Sequence, residues 1–161
     1  MGDVYYAQKE WVKAMGCYET AISLGDLWKI AGVYFNVAWC CDKTQQHEKS
    51  IENYKKCLEL MPEFPYANNN IGYEYKRTKD YDSALQYFDK SIAVGTDGHY
   101  PIRNKLRTLI AIGRKDEAIT FAAEHPKSFK TKHFKELLEK ISSGQGVGEM
   151  LEDADDETAE S

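Results

Sequence analysis

Four histidines and four cysteines are the residues of this chain best suited to proton transfer, nucleophilic attack or metal ligation. Their placement argues against all three. His47 stands in the polar stretch TQQHEKS, His125 precedes Pro126 at the end of a helical pattern, and His99 and His133 are scattered. None pairs interpretably with a Ser or Cys, and a cation at His125 would simply suit a helix C-terminus. Cys17, Cys40, Cys41 and Cys57 lie inside apolar helical patterns, with no CxxC pair and no zinc-ligand spacing. They read as reduced, mostly buried thiols acting as small hydrophobes. The GQGVG run lacks the Lys-Ser/Thr of a phosphate loop and follows a helix rather than a strand. Acid pairs such as Asp116–Glu117 lie at helix starts, where the dipole accounts for them. No enzyme, metal or cofactor is therefore expected. What the chain offers is recognition chemistry. Asn68, Asn69 and Asn70 stand in a row, although helix interiors disfavour asparagine. Each carries a donor and an acceptor that can bond the backbone of an extended peptide. Arg103 and Arg107, four apart, share one helix face and can fork onto carboxylates.

Composition bounds the rest. The chain has 161 residues, is 42% hydrophobic and 29% charged, and so can bury a core. No apolar run is long enough for a transmembrane helix, and the N-terminus lacks the pattern of a secretory signal. With reduced thiols, this gives a cytoplasmic expectation without a membrane. The formal net charge of -5 is uneven. Residues 149–161 hold seven acids and no base, which leaves 21 bases against 19 acids elsewhere. Residues 143–161 read as a flexible acidic tail, and nucleic acid is disfavoured as a partner.

The elements that must hold the recognition residues follow from an internal repeat. Ser50, Ala84 and Ala118 succeed one another at spacings of 34, and Ala14 precedes Ser50 by 36. Four residues after each small residue come Tyr18, Tyr54, Phe88 and Ala122; twelve before come Gly2, Ala38, Gly72 and Leu106. Nine before come Tyr5, Cys41, Tyr75 and Leu109. Such a period marks helix pairs that bury a face only against their neighbours. Helices are expected at about 2–9, 11–24, 27–42, 46–60, 64–77, 81–94, 99–112 and 115–124. A capping helix at about 129–142 carries Phe134, Leu137, Leu138 and Ile141 on one stripe. Pro65 and Pro101 suit first helical turns, Asp80 an N-cap and Gly113 a helix C-terminus.

The pattern resembles the tetratricopeptide-repeat family over roughly residues 1–125. Gly72, Tyr75, Ala84 and Phe88 carry the resemblance, with Pro62 closing the copy before; Cys41, Leu106 and Ala122 depart from it. It implies an all-α fold, a right-handed α-solenoid of antiparallel helix pairs with about 3.5–4 repeats and a C-terminal capping helix, spanning residues 1–142. Met1 falls where a repeat has its seventh residue, so the first copy is incomplete. The expectation is a piece of a longer array, or an end covered by a partner or a second copy.

The resemblance also implies that the first helix of each pair lines a concave groove. Carried over, its positions are Phe35, Asn36 and Trp39, then Asn69, Asn70, Tyr73 and Arg77, then Arg103 and Arg107. Asp42, Lys43, Tyr66, Lys76, Tyr100 and Asn104 fall on the same positions. The expected function is a non-enzymatic scaffold or interaction module that binds a protein or peptide there. The alternative is a homo-oligomer formed through the incomplete first repeat. A subfamily grips the C-terminal carboxylate of chaperone tails with Lys and Asn. Here Phe35, Trp39, Tyr100 and Asn104 occupy clamp positions and only Asn70 matches, so that clamp is not expected.

Overall fold

The computed structural model describes residues 1–24, 30–96, 98–128 and 132–143. Its helices are α1 (Gly2–Ala7), α2 (Trp11–Leu24), α3 (Ile30–Lys43), α4 (His47–Leu60), α5 (Ala67–Arg77), α6 (Tyr81–Val94), α7 (Tyr100–Ala111), α8 (Lys115–Glu124) and α9 (Lys132–Ser142). No strand occurs among the described residues. The chain divides into two compact units, Met1–Gly98 and His99–Ser161. In the first, each helix from α1 to α6 packs on the next; in the second, α8 packs on both α7 and α9. This sequential stacking is the construction of an α-solenoid.

The recurring small residues sit where the paired helices meet. Ala14, Ser50, Ala84 and Ala118 are fully buried. Ser50 keeps its hydroxyl satisfied there by donating to the Ala38 carbonyl at 2.9 Å. A Cβ on Gly72 would stand 2.7 Å from the Phe88 ring, and one on Gly2 would stand 2.6 Å from that of Tyr18. Glycine is therefore what admits the aromatic. One apolar cluster gathers Ala14, Tyr18, Val37, Cys40 and Cys41. A second gathers Ala38, Ile51, Tyr54, Ala67 and Ile71. Three of the four cysteines are buried, and all four are free thiols. Burial pushes the Cys40 thiol up to about 11 and that of Cys57 to about 12, so neither supplies a thiolate nucleophile at neutral pH.

One turn recurs four times. Lys9, Gln45, Lys79 and Gly113 adopt φ of 57°, 59°, 64° and 79°. The next residue's N–H then reaches back to the carbonyls of Tyr5, Cys41, Tyr75 and Leu109 at 2.8–2.9 Å. This left-handed cap closes the first helix of each pair. At the third turn Asp80 caps α6 as expected, accepting from the Ser83 N–H at 3.2 Å. Pro101 lies in the first turn of α7, also as expected. Pro65 does not lie in a helix. Tyr66 takes φ 64°, which no right-handed helix accommodates, and α5 begins only at Ala67. In α9, Ile141 is buried and Leu138 half-buried, while the side chains of Phe134 and Leu137 lie outside the described residues. The expected tail lies outside them too, except for Ser143.

Candidate partner-binding site

In the first unit, α3 and α5 carry the side chains assigned to the groove. They are brought side by side because Ala38 from α3 and Ala67 and Ile71 from α5 share one core cluster. Trp39 is half-buried, with Lys43 Nζ 4.7 Å from its ring centroid. Tyr73 is also half-buried, with Lys76 Nζ at 5.7 Å and the Arg77 guanidinium at 6.0 Å. Each aromatic thus lies under a cation that holds charge beside an apolar plane. Asn70 is half-buried and donates from Nδ2 to the Tyr54 hydroxyl at 3.1 Å. Asn69 is buried, with Nδ2 donating to Asn70 Oδ1 at 3.4 Å. Phe35 packs inward, 5.2 Å from the Tyr54 ring and 5.0 Å from that of Phe64. Asn36 lines an open cavity of about 820 Å³ with Gly2, Asp3, Tyr18, Gly32 and Phe64. Its size is that of a ligand or side-chain pocket. Of the second unit's candidates, Arg103 is half-buried and Arg107 is buried on α7.

The strongest electrostatic feature is one that sequence reasoning missed. Glu74, on α5, has a side chain only 2% exposed, and its Oε2 lies 2.6 Å from Nδ1 of His47 at the start of α4. Arg77 Nη1 lies 3.5 Å from the other Glu74 oxygen and donates to Asp42 on α3. Burial pushes the Glu74 carboxyl up to about 7, and the adjoining Asp42 carboxyl pushes the same way. His47 and Arg77 pull against them. Glu74 and Arg77 stand three apart on α5 and so share one face of that helix. Their partners Asp42 and His47 come from 35 residues before Arg77 and 27 before Glu74 respectively, and no local pattern announces the contact. Among the described residues no group of His, Cys, Asp and Glu could hold a metal ion. The site's chemistry is hydrogen bonding, aromatic contact and ion pairing.

Two stretches match the tetratricopeptide-repeat profile, residues 31–64 and 65–94, in the same register as the second and third copies. The chain belongs to the tetratricopeptide-repeat family. Among its relatives is the Photosystem I assembly protein Ycf3 of Synechococcus elongatus, 24% identical over 117 residues, 63% of this chain and 68% of that protein. The crystal structure of the Sgt2 TPR domain from Aspergillus fumigatus superposes with a TM-score of 0.63 at 23% identity, over 72% of this chain and 77% of that one. The first TPR of Spaghetti (RPAP3), bound to the HSP90 peptide SRMEEVD, superposes with a TM-score of 0.62 at 18% identity, over 71% and 91%. At these identities the two structures establish the shared fold. In family terms, the four left-handed turns join the two helices within each repeat, and Glu74 lies in the first helix of the third.

Proposed function

We propose that this chain is a non-enzymatic interaction module that binds a protein or peptide segment across α3 and α5. Asn36, Trp39, Asn70 and Tyr73 would be its contacts. The observation that carries the reading is the pair of half-buried aromatics on adjacent helices, Trp39 beneath Lys43 and Tyr73 beneath Lys76 and Arg77. Partly buried aromatics edged by cations make good anchors for a partner side chain. Arg77 already serves Asp42 and Glu74, so its role is to shape the face as much as to grip a ligand. For the second unit, taken by itself, Arg103 and Arg107 on α7 are the proposed contacts. The relatives support the coarse reading, since one is an assembly protein and another fold neighbour holds a peptide. An EEVD-ended peptide is not the expected ligand, because Phe35, at a clamp position, is packed on Tyr54 and Phe64. No described helix is long and apolar enough to cross a membrane, and we place the module's work in the cytoplasm.

Selection of binders from a displayed random-peptide library tests the reading. Selected peptides should lose at least tenfold in affinity for Trp39→Ala and Tyr73→Ala, with both variants still folded. Unchanged affinity in both would refute it. A second reading, self-association, draws on the open cavity beside Asn36, which a helical segment of a second copy would fill. Light scattering over a concentration series decides it, since a strict monomer throughout removes it.

A further inference from the structure

We propose that Asp42, Glu74, His47 and Arg77 form a proton-dependent clasp that locks α3, α4 and α5 together, tightest when the two carboxyls share one proton. Three helices contribute. Asp42 comes from the last turn of α3, His47 from the first residue of α4, and Glu74 and Arg77 from α5. The contacts are close: His47 Nδ1 to Glu74 Oε2 is 2.6 Å, Arg77 Nη1 to Glu74 Oε1 is 3.5 Å, and Arg77 also donates to Asp42. The side chains of Glu74 and Asp42 are 2% and 14% exposed, so water does little to separate their charges. Two carboxylates so placed cannot both ionise without cost, and a hydrogen bond between them requires a proton. The other charged and titratable neighbours are Lys43, with Nζ 3.8 Å from Asp42, the Cys41 thiol on α3 and the Tyr54 hydroxyl on α4. On α6, which also packs on α5, Asp80 is turned to the Ser83 N–H.

The sign follows from linkage. The Glu74 carboxyl is raised from its ordinary value to about 7 in the folded chain, chiefly by burial. Folding therefore takes up a proton between about pH 4.5 and 7. Stability from this source is fully present below the unfolded value, is lost as pH rises through about 7, and is level above it. The clasp joins the helix that carries Trp39 to the helix that carries Tyr73, so loosening it alters the face proposed for partner binding. The test reads folding alone and stands whether or not that face binds a partner.

Urea unfolding of the full chain should be followed at intervals from pH 5.5 to 8. The unfolding constant of the wild-type chain should rise by up to about tenfold per pH unit until near pH 7 and then level off. Glu74→Gln keeps the shape and an amide that donates to Asp42, retains every histidine, and should flatten that rise. A rise of the same size in Glu74→Gln would overturn the proposal. Should that variant not fold, the wild-type chain labelled at its Glu side-chain carboxyls decides by NMR. One Glu carboxyl titrating near 7 supports the clasp, and all of them titrating near 4–5 overturn it.

Discussion

In the third copy of the repeat, Gly72 on α5 faces Phe88 on α6, and a Cβ on the glycine would come within 2.7 Å of the ring. In the fourth copy, within the second unit, the same two positions hold Leu106 on α7 and Ala122 on α8, both buried. The bulk has moved from the second helix of the pair to the first. The first copy follows the third, with Gly2 beneath Tyr18, and the second is intermediate, with Ala38 and Tyr54 in one cluster. What the repeat preserves is a filled joint between two helices, and which helix supplies the volume is free. The apparent departures Leu106 and Ala122 are therefore one exchange rather than two defects.

The largest expected effect comes from transplanting that exchange. Phe88→Ala should cost about 3–5 kcal/mol, because a fully buried ring leaves a cavity. Gly72→Leu should by itself exceed the about 1–3 kcal/mol of ordinary overpacking, since its first added carbon already meets the ring. Together the two substitutions rebuild the Leu106–Ala122 arrangement in the third copy. The double variant should be more stable than the sum of the singles by about 0.5–3 kcal/mol. The Ala84 carbonyl, 3.1 Å from the added Cβ, limits the rescue. Additive losses in urea titrations would mean that the two copies fill their joints by unrelated means.

This joint was legible in the sequence because its residues recur at one period and differ in kind. The helix order was legible for the same reason, and the Asp80 cap and Pro101 from local chemistry. The start of α5 was not, because Pro65 looks like a first-turn proline and nothing in PEFPYA marks Tyr66 for a left-handed conformation. Within the site, the sequence found the helices and the half-buried Trp39, Asn70 and Tyr73. It could not tell that Asn69 and Arg107 are buried, or that Phe35 packs into the second core cluster. Burial of those side chains depends on neighbours far along the chain, as does that of Glu74.

A smaller effect separates glycines that look alike in sequence. Gly72→Ala should destabilise by about 1–2 kcal/mol, the overpacking against Phe88 exceeding the helix propensity gained. Gly16→Ala, on α2, meets nothing within 4 Å and should stabilise by about 0.5–1 kcal/mol. Thermal midpoints moving in opposite directions would confirm that only Gly72 is held by its contact. A shift of the same sign would mean that propensity outweighs contact at both positions.

The smallest effect lies at the turns within each pair and again sets the fourth copy against the others. All four use a left-handed residue, but only the fourth supplies a glycine, Gly113 at φ 79°; Lys9, Gln45 and Lys79 bear the conformation with a full side chain. A left-handed non-glycine residue costs about 1–2 kcal/mol locally, while glycine loses more entropy on folding, roughly 0.5–1 kcal/mol. The two nearly offset, which explains why the repeat tolerates either. Lys79→Gly should therefore stabilise only slightly, by about 0.5 kcal/mol, and Gly113→Lys should destabilise by a similar amount. The hydrogen bonds from Asp80 to Tyr75 and from Arg114 to Leu109, each 2.9 Å, should survive both changes. Amide exchange at Asp80 and Arg114 checks this, because a faster rate confined to the substituted turn means the strain opened the cap. Protection retained at both means the cost is borne by the dihedral alone, and the four turns are then one structural unit written with two residue types.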